Sequence, residues 1–223
     1  MFRTMPLKPL ADCRLYAFVD TAYLHGRAPA DIARQLCDGG ADLVQLRAKG
    51  ASLDTVRQLA EAILPVTQAA GSWFILNDHA ALASELGAPC CHLGQEDFFD
   101  AGWRHARDLW RSVAPKGTDC ALGLSTHAPE QAERAVAAGA AYIAIGPVFP
   151  TGTKPGRAAV TLDYVRWAAR SIQLPWFAIG GIDLRNLDAV LEAGATRICI
   201  VSAILNRTDL AAACSEVRSR LPR

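Results

Sequence analysis

Short, almost wholly apolar runs alternate along this chain with longer stretches in which apolar and polar residues are mixed. The apolar runs predict parallel strands that are covered on both faces, and the mixed stretches predict amphipathic helices. The predicted strands are residues 15–19, 43–46, 73–76, 90–93, 121–124, 142–145, 176–179 and 198–201. The predicted helices are residues 29–37, 52–69, 129–138, 162–171 and 187–192, and two of them begin with proline and one with a serine cap.

A Gly-Ala pair precedes four of the strands, as Gly40-Ala41, Gly87-Ala88, Gly139-Ala140 and Gly194-Ala195. Glycine is suited to end a helix, and a small residue allows a tight turn into the next strand. Eight strands joined by helices predict one α/β domain over residues 1–223, a (β/α)8 TIM barrel with residues 1–13 as an N-terminal extension. An open doubly wound sheet is the alternative. The longer connection over residues 98–118 contains Trp103 and Trp110 and predicts a packed helix followed by a loop.

The composition agrees with one large folded domain and argues against several kinds of partner. Hydrophobic residues make up 51% of the 223 residues, which is enough for one sizeable core. Lys and Arg (23) balance Asp and Glu (22), so a formal charge of +1 gives no overall field that attracts nucleic acid or an anionic membrane. The chain has neither a signal-peptide pattern nor an apolar run near the ~20 residues of a membrane span, so we expect a cytoplasmic protein.

The seven cysteines include no C-x-x-C pair, and their number is odd. A disulfide framework or a zinc site is therefore not expected. Small buried thiols in a reducing cytoplasm are the better interpretation.

Polar residues and glycines follow the predicted strands at the points where the strands end. In a barrel these ends share one face, where polar residues are available for chemistry. Cations, carboxylates and glycines gathered there would suit a multiply phosphorylated substrate and a metal ion. The strand-end segments are QLRAK (45–49), ND (77–78), HLGQED (92–97), GLSTH (123–127), GPVFPTGTK (146–154), AIGGI (178–182) and CIVSA (199–203).

The last two segments predict a phosphate site. Loops after the seventh and eighth strands of such barrels commonly bind phosphate through backbone N–H groups. Gly181 would allow close approach of the backbone, and Ser202 follows the eighth strand. The alternative is that Gly180 and Gly181 only make a turn.

Two aspartates predict a magnesium site. Asp78 and Asp97 end consecutive strands, which are neighbours in a barrel, so their carboxylates can meet. One or two carboxylates plus phosphate oxygens form a common Mg²⁺ site. For either residue alone, an N-cap of the following helix is the alternative.

Three cations would neutralise a diphosphate at the same rim. Arg47 and Lys49 lie two residues apart after the second strand, and Lys154 follows the sixth. The alternative is ordinary solvent-exposed charge. The hydroxyl groups of Ser125, Thr151 and Thr153 could orient a phosphate or a ring.

The histidines give weaker signals. His92 lies inside a strand and is interpreted as a packed residue rather than a base. His127 lies at the rim, and a role there is left open. His25 and His105 are expected at the surface.

In this order, and with the last one extended to IVSAI (200–204), these segments resemble the motifs of the thiamine-phosphate synthase family. The resemblance extends from about Leu15 to Ile204. The resemblance implies a (β/α)8 barrel that joins hydroxymethylpyrimidine diphosphate to thiazole phosphate, giving thiamine phosphate and diphosphate. It also implies dependence on Mg²⁺, small-molecule substrates rather than nucleic acid or membrane, and a possible homodimer.

The resemblance also implies roles for single residues. The magnesium ligands would be Asp78 and Asp97. Catalytic roles fall to Arg47, Lys49, Ser125 and Lys154. The pyrimidine diphosphate would be held by Gln45, Arg47, Lys49, Asn77, Ser125 and Lys154, and the thiazole phosphate by Thr151, Gly152, Thr153, Gly181, Val201 and Ser202.

The chain departs from the family pattern at three places outside these residues. His79-Ala80-Ala81 replaces the usual R-V-D, Pro89-Cys90-Cys91 replaces D-G-V, and residues 98–118 are longer than usual. Two alternative functions are a thiazole tautomerase and a non-catalytic sensor of a thiamine intermediate. The retained carboxylates and lysines argue against both.

Overall fold

Eight parallel strands close into a barrel in the computed structural model, which describes residues 5–114, 116–151 and 159–222. The strands follow one another in chain order, and the last pairs with the first, Leu15 lying opposite Ile198. The alternative of an open doubly wound sheet is therefore wrong. The strands are β1 (Leu15–Asp20), β2 (Leu43–Arg47), β3 (Trp73–Asn77), β4 (Cys90–Leu93), β5 (Ala121–Thr126), β6 (Tyr142–Ile145), β7 (Trp176–Ile179) and β8 (Ile198–Cys199).

Helices cover the outside of the barrel and connect its strands. The five predicted helices are present and end within one residue of the predicted positions, whereas α3, α4, α9 and α10 were not predicted. Helix α5 occupies the long connection, and Trp103 and Trp110 pack against the core as expected. The helices are α1 (Pro29–Asp38), α2 (Leu53–Ala70), α3 (Ala80–Glu85), α4 (Gln95–Phe99), α5 (Ala106–Val113), α6 (Pro129–Ala137), α7 (Thr161–Ser171), α8 (Leu187–Glu192), α9 (Ser202–Leu205) and α10 (Leu210–Arg220).

The Gly-Ala pairs perform the predicted turn from helix to strand. Their glycines have φ values of 89°, 66°, 79° and 102° in chain order, all in the left-handed region that glycine adopts without a steric penalty. Each alanine that follows is buried. The repeat thus sets the same sharp entry into β2, β4, β6 and β8.

The described part of the N-terminal segment is attached to the amino end of the barrel through the buried Asp42. This carboxylate accepts hydrogen bonds from the backbone N–H of Arg14 at 2.7 Å and of Leu15 at 3.2 Å, and from Lys8 at 2.7 Å. The indole N–H of Trp73 also donates to the carbonyl of Lys8 at 2.8 Å. These bonds hold the start of β1 against β2 and β3.

Asp42→Ala is expected to lower the free energy of unfolding by about 2–3 kcal/mol, because two N–H groups at the start of β1 lose their acceptor. Lys8→Ala is the matched control and should cost less than about 1 kcal/mol, since the Lys8 side chain is 57% exposed. Urea unfolding of the two variants measures the difference. Equal losses would show that the ion pair, rather than the backbone bonds, stabilises this corner.

All seven cysteines are free thiols, and all except Cys37 are buried. Burial is the main cause that raises the pKa of Cys13, Cys120 and Cys214 to about 12. These thiols therefore stay protonated near neutral pH and behave as small apolar side chains.

Within the described ranges, none of the helices combines the length and the apolar character that crossing a bilayer requires.

Candidate functional site

A pocket of about 900 Å³, part of it open to solvent, lies at the carboxyl end of the barrel strands. Every predicted site residue that the structure describes lines this pocket. They are Gln45, Arg47, Lys49, Asn77, Asp78, Asp97, Ser125, Thr151, Gly181, Val201 and Ser202. Gly152, Thr153 and Lys154 lie outside the described residues.

Asp78 enters the pocket from an unusual backbone conformation. Its φ of 70° is left-handed, a region that aspartate tolerates better than most residues with a side chain. Its N–H donates to the carbonyl of His92 at 2.9 Å, which joins the ends of β3 and β4. The N-cap of α3 is His79, so the N-cap interpretation of Asp78 is wrong.

Asp97 belongs to the first turn of α4, whose N-cap is Gly94. The N-cap interpretation is therefore wrong here too. Its carboxylate folds back over Gly94, because Oδ2 lies only 2.5 Å from where a Cβ on that glycine would stand. A carboxylate in this position also interacts favourably with the positive end of the helix. Glycine at position 94 thus gives Asp97 room to face the pocket.

The two predicted cations after β2 differ in how firmly they are held. Arg47 donates to the Asp20 carboxylate at 2.8 Å, and the two side chains are 14% and 1% exposed. Lys49 forms an ion pair with Asp78, and its side chain is 53% exposed. Arg47 is therefore fixed by a buried partner, whereas Lys49 can change position at low cost.

The loop after β7 packs closely against the segment after β6. Val148 and Phe149 donate backbone hydrogen bonds to Ile179 (2.8 Å) and Gly180 (3.0 Å). Gly181 has φ +64°, and a Cβ there would lie 2.6 Å from the Pro150 carbonyl oxygen. Gly181 is therefore required by backbone conformation and packing, in addition to any approach to phosphate.

Asn186 stabilises the same loop through two hydrogen bonds. Its amide nitrogen donates to the carbonyl of Gly181 at 2.8 Å, and its amide oxygen accepts from the N–H of Asp183 at 2.9 Å. The conformation of the loop thus depends on a residue five positions beyond the glycine.

A chain of buried polar side chains runs beneath the pocket. His92, which was interpreted as a packed residue, is buried but bonded through both ring nitrogens, each at 2.9 Å, to the hydroxyls of Tyr142 and Ser125. Further links join the hydroxyls of Tyr142 and Tyr16 at 2.9 Å, Tyr16 to the amide oxygen of Gln45, and the Gln45 amide nitrogen to Asn77 at 3.1 Å. In order, the chain contains Asn77, Gln45, Tyr16, Tyr142, His92 and Ser125.

His127 also lines the pocket. Its Nδ1 bonds to the Gly146 carbonyl, and its backbone N–H donates to Gln131 at 2.7 Å. These contacts tie the end of β5 to α6 and to the segment after β6.

Comparison with known proteins identifies the family. The family model described as thiamine monophosphate synthase matches residues 15–204. The chain belongs to the thiamine monophosphate synthase family. The thiamine-phosphate synthase of Thermus thermophilus is 46% identical over 195 residues, which cover 87% of this chain and 89% of that protein. The enzyme of the same name from Acidothermus cellulolyticus is 42% identical over 214 residues, covering 95% and 96% of the two chains.

A solved structure of another member has the same fold. Thiamine phosphate pyrophosphorylase from Pyrococcus furiosus superimposes with a TM-score of 0.80 at 26% identity, covering 95% of this chain and 96% of that one. The predictions of a TIM barrel and of a transferase that makes thiamine phosphate are thereby confirmed.

Three groups of supporting residues around the site of this thiamine monophosphate synthase family member were not predicted from the sequence. They are Asp20, which accepts a hydrogen bond from Arg47, Asn186, which donates one to Gly181, and the pair Tyr16 and Tyr142 under the pocket floor. Asp20 carries a detectable signal, because it directly follows the predicted strand 15–19, in the same position as the predicted site residues after the other strands. Tyrosine in an apolar run looks like an ordinary core residue.

Proposed function

We propose that this pocket transfers the hydroxymethylpyrimidine group from its diphosphate to the ring nitrogen of a thiazole phosphate, with the residue roles that the family resemblance implies. The bond from the pyrimidine methylene to the diphosphate oxygen breaks, and its electron pair leaves with the diphosphate. The thiazole nitrogen then supplies the electron pair of the new C–N bond. The observation that carries the proposal is that Arg47, Lys49 and both aspartates line one pocket with the loops after β7 and β8.

The carboxylates suit magnesium that is shared with the substrate. Among the described residues, His, Cys, Asp and Glu side chains form no group of three or more that could hold a metal ion by themselves. Asp78 and Asp97 would therefore need oxygen ligands from the diphosphate, as is usual for Mg²⁺. When bound, the ion would stabilise negative charge on the leaving diphosphate.

The cations would act on the same charge. Arg47 is fixed by Asp20 and offers N–H donors in a rigid planar fork that matches phosphate oxygens. Lys49 would exchange its ion pair with Asp78 for the diphosphate as the substrate and the metal arrive. Lys154 would add a third positive charge from the segment after β6. Preorganised charge at a developing anion is commonly the largest single contribution to catalysis.

The thiazole phosphate would lie on the opposite loops, held by Thr151 to Thr153, Gly181, Val201 and Ser202. Gly181 and Ser202 line the pocket after β7 and β8, where barrels of this kind commonly bind phosphate. Ser125, Gln45 and Asn77 would contact the pyrimidine ring at the floor.

A turnover assay with purified protein and both substrates tests the proposal. Thiamine phosphate should form only when both substrates and Mg²⁺ are present, and EDTA should abolish its formation. A tautomerase would instead exchange a proton of the thiazole phosphate with solvent deuterium without metal or pyrimidine. A sensor would bind one ligand without turnover.

Gly94→Ala is expected to raise the Mg²⁺ concentration for half-maximal rate by about tenfold or more, because the added methyl group would displace the Asp97 carboxylate. Gln95→Ala, one residue further along α4, is the matched control. The measurement is a Mg²⁺ titration of the rate. An unchanged requirement in a folded Gly94→Ala variant would show that Asp97 does not bind the metal.

Two further proposals are a location in the cytoplasm, which is expected because no signal-peptide pattern was found, and assembly as a homodimer, which the family resemblance implies. Light scattering of the purified protein would test the second.

A further inference from the structure

The hydrogen-bonded side chains under the pocket form a relay, in which each group donates to the next one in the same direction. This direction determines whether the groups at the pocket floor act as donors or acceptors toward a substrate. At one end, the amide oxygen of Gln45 accepts from the Tyr16 hydroxyl, and the amide nitrogen donates to Oδ1 of Asn77. Asn77 is left with its NH₂ group, a donor, for the pocket that it lines.

The direction passes from one tyrosine to the other. A phenol has a single proton, and Tyr16 gives its proton to Gln45. In the bond between the two phenols, Tyr16 must therefore accept from Tyr142. Burial raises the pKa of both phenols well above the usual value, so each keeps its proton at neutral pH.

The direction then passes through His92 to the opposite wall. Because the Tyr142 proton is committed to Tyr16, the Tyr142 oxygen must accept from Nδ1–H of His92. In a neutral imidazole whose proton is on Nδ1, Nε2 is the acceptor. Nε2 accepts a hydrogen bond from the Ser125 hydroxyl, so the Ser125 oxygen faces the pocket with its lone pairs as an acceptor.

The arrangement is built into the barrel. Tyr16 and Tyr142 are 1% and 0% exposed. A Cβ at position 123 would lie 2.5 Å from the Tyr142 hydroxyl oxygen, so Gly123 makes the space in which this hydroxyl sits. Reversing the direction of one hydrogen bond alone would leave a neighbouring bond with two protons or with none. The donor and acceptor roles at the two ends of the relay can therefore change only together.

We propose that Tyr16, Tyr142 and His92 are positioning residues that make Ser125 a hydrogen-bond acceptor and Asn77 a donor toward the pyrimidine. The inference rests on the proposed function in placing the pyrimidine at these two residues. An aminopyrimidine offers the complementary groups, an amino N–H and a ring nitrogen. In an analogue with an oxo group in place of the amino group, the oxo oxygen and the Ser125 oxygen would both be acceptors, so no hydrogen bond would form between them.

The tautomer of His92 is the direct test, and it needs no substrate. Nitrogen-15 NMR of the full-length protein with labelled histidine, compared with the His92→Gln variant for assignment, should show His92 protonated at Nδ1 and not at Nε2 at pH 8. In Tyr142→Phe the acceptor at Nδ1 is removed, and the proton should move to Nε2. An Nε2–H ring or an imidazolium in the unmodified protein would overturn the relay.

Kinetics then test what the relay does. Tyr142→Phe should lower kcat/KM for the pyrimidine diphosphate about tenfold and leave the KM for the thiazole phosphate unchanged, since only the pyrimidine meets the misdirected Ser125. Tyr164→Phe is the matched control, because this buried phenol bonds Thr126 and Ala128 at 2.8 Å outside the relay. Its kinetics should equal those of the unmodified protein.

The outcomes separate the relay from the proposed function. Equal effects of the two Tyr→Phe changes, or a shift in the thiazole KM, would overturn the positioning role. Failure of the unmodified protein to make thiamine phosphate would contradict the proposed function, while NMR would still decide the direction of the relay.

Discussion

Asp78→Asn and Asp97→Asn are each expected to lower kcat at least about a hundredfold, because in the proposed site Mg²⁺ would lose an anchoring charge at the leaving diphosphate. Asparagine is the suitable replacement at position 78, since it tolerates the left-handed backbone (φ 70°) that alanine would strain. The variant therefore removes the charge with little effect on the fold.

The measurement is the rate with both substrates over a range of Mg²⁺ concentrations, with circular dichroism as a check on folding. Asp100→Ala, at the exposed end of α4, is the matched control and should keep the activity of the unmodified protein. Near-normal rates of both Asn variants at low Mg²⁺ would remove these residues from the metal site.

Arg47→Met is expected to have two separable effects. The kcat/KM for the pyrimidine diphosphate should fall about a hundredfold, because the proposed site would lose a preorganised charge at the leaving group. The free energy of unfolding should fall by about 3 kcal/mol, because Asp20, whose side chain is 1% exposed, is left as a buried charge without its arginine.

A double variant distinguishes the two effects. Asp20→Asn combined with Arg47→Met removes the buried charge, so stability in urea should largely recover while activity stays low. Recovery of activity together with stability would show that Arg47 acts only in the fold. The KM for the thiazole phosphate should stay nearly constant in both variants, since Arg47 is assigned to the diphosphate.

The sequence predicted the barrel and the rim position of the candidate site residues that the structure describes. Parallel strands that are buried on both faces need continuous apolar runs, and those runs end within two residues of the observed strand ends. Once the strands alternate with helices in a closed barrel, all their carboxyl ends lie on one face. Residues such as Asp78 and Ser202 could therefore be placed at one rim without knowledge of any contact.

The short helices α3 and α4 could not be predicted from the sequence. Helix α3 has six residues and α4 has five, so neither provides the two turns over which an amphipathic pattern can be recognised. Asp97 consequently looked like a candidate N-cap, although it lies within the first turn and folds back over Gly94.

Partners that are distant in the sequence were decided only by the tertiary structure. The hydroxyls of Tyr16 and Tyr142 meet across 126 residues, and Arg47 finds Asp20 through the register of β1 with β2. An apolar run indicates that a tyrosine is buried, but it cannot show which group its hydroxyl bonds. The apolar runs and the polar residues after them therefore predicted a barrel and the residues at its rim, whereas barrel closure and strand register decided how those residues are held and which hydrogen-bonding groups they present.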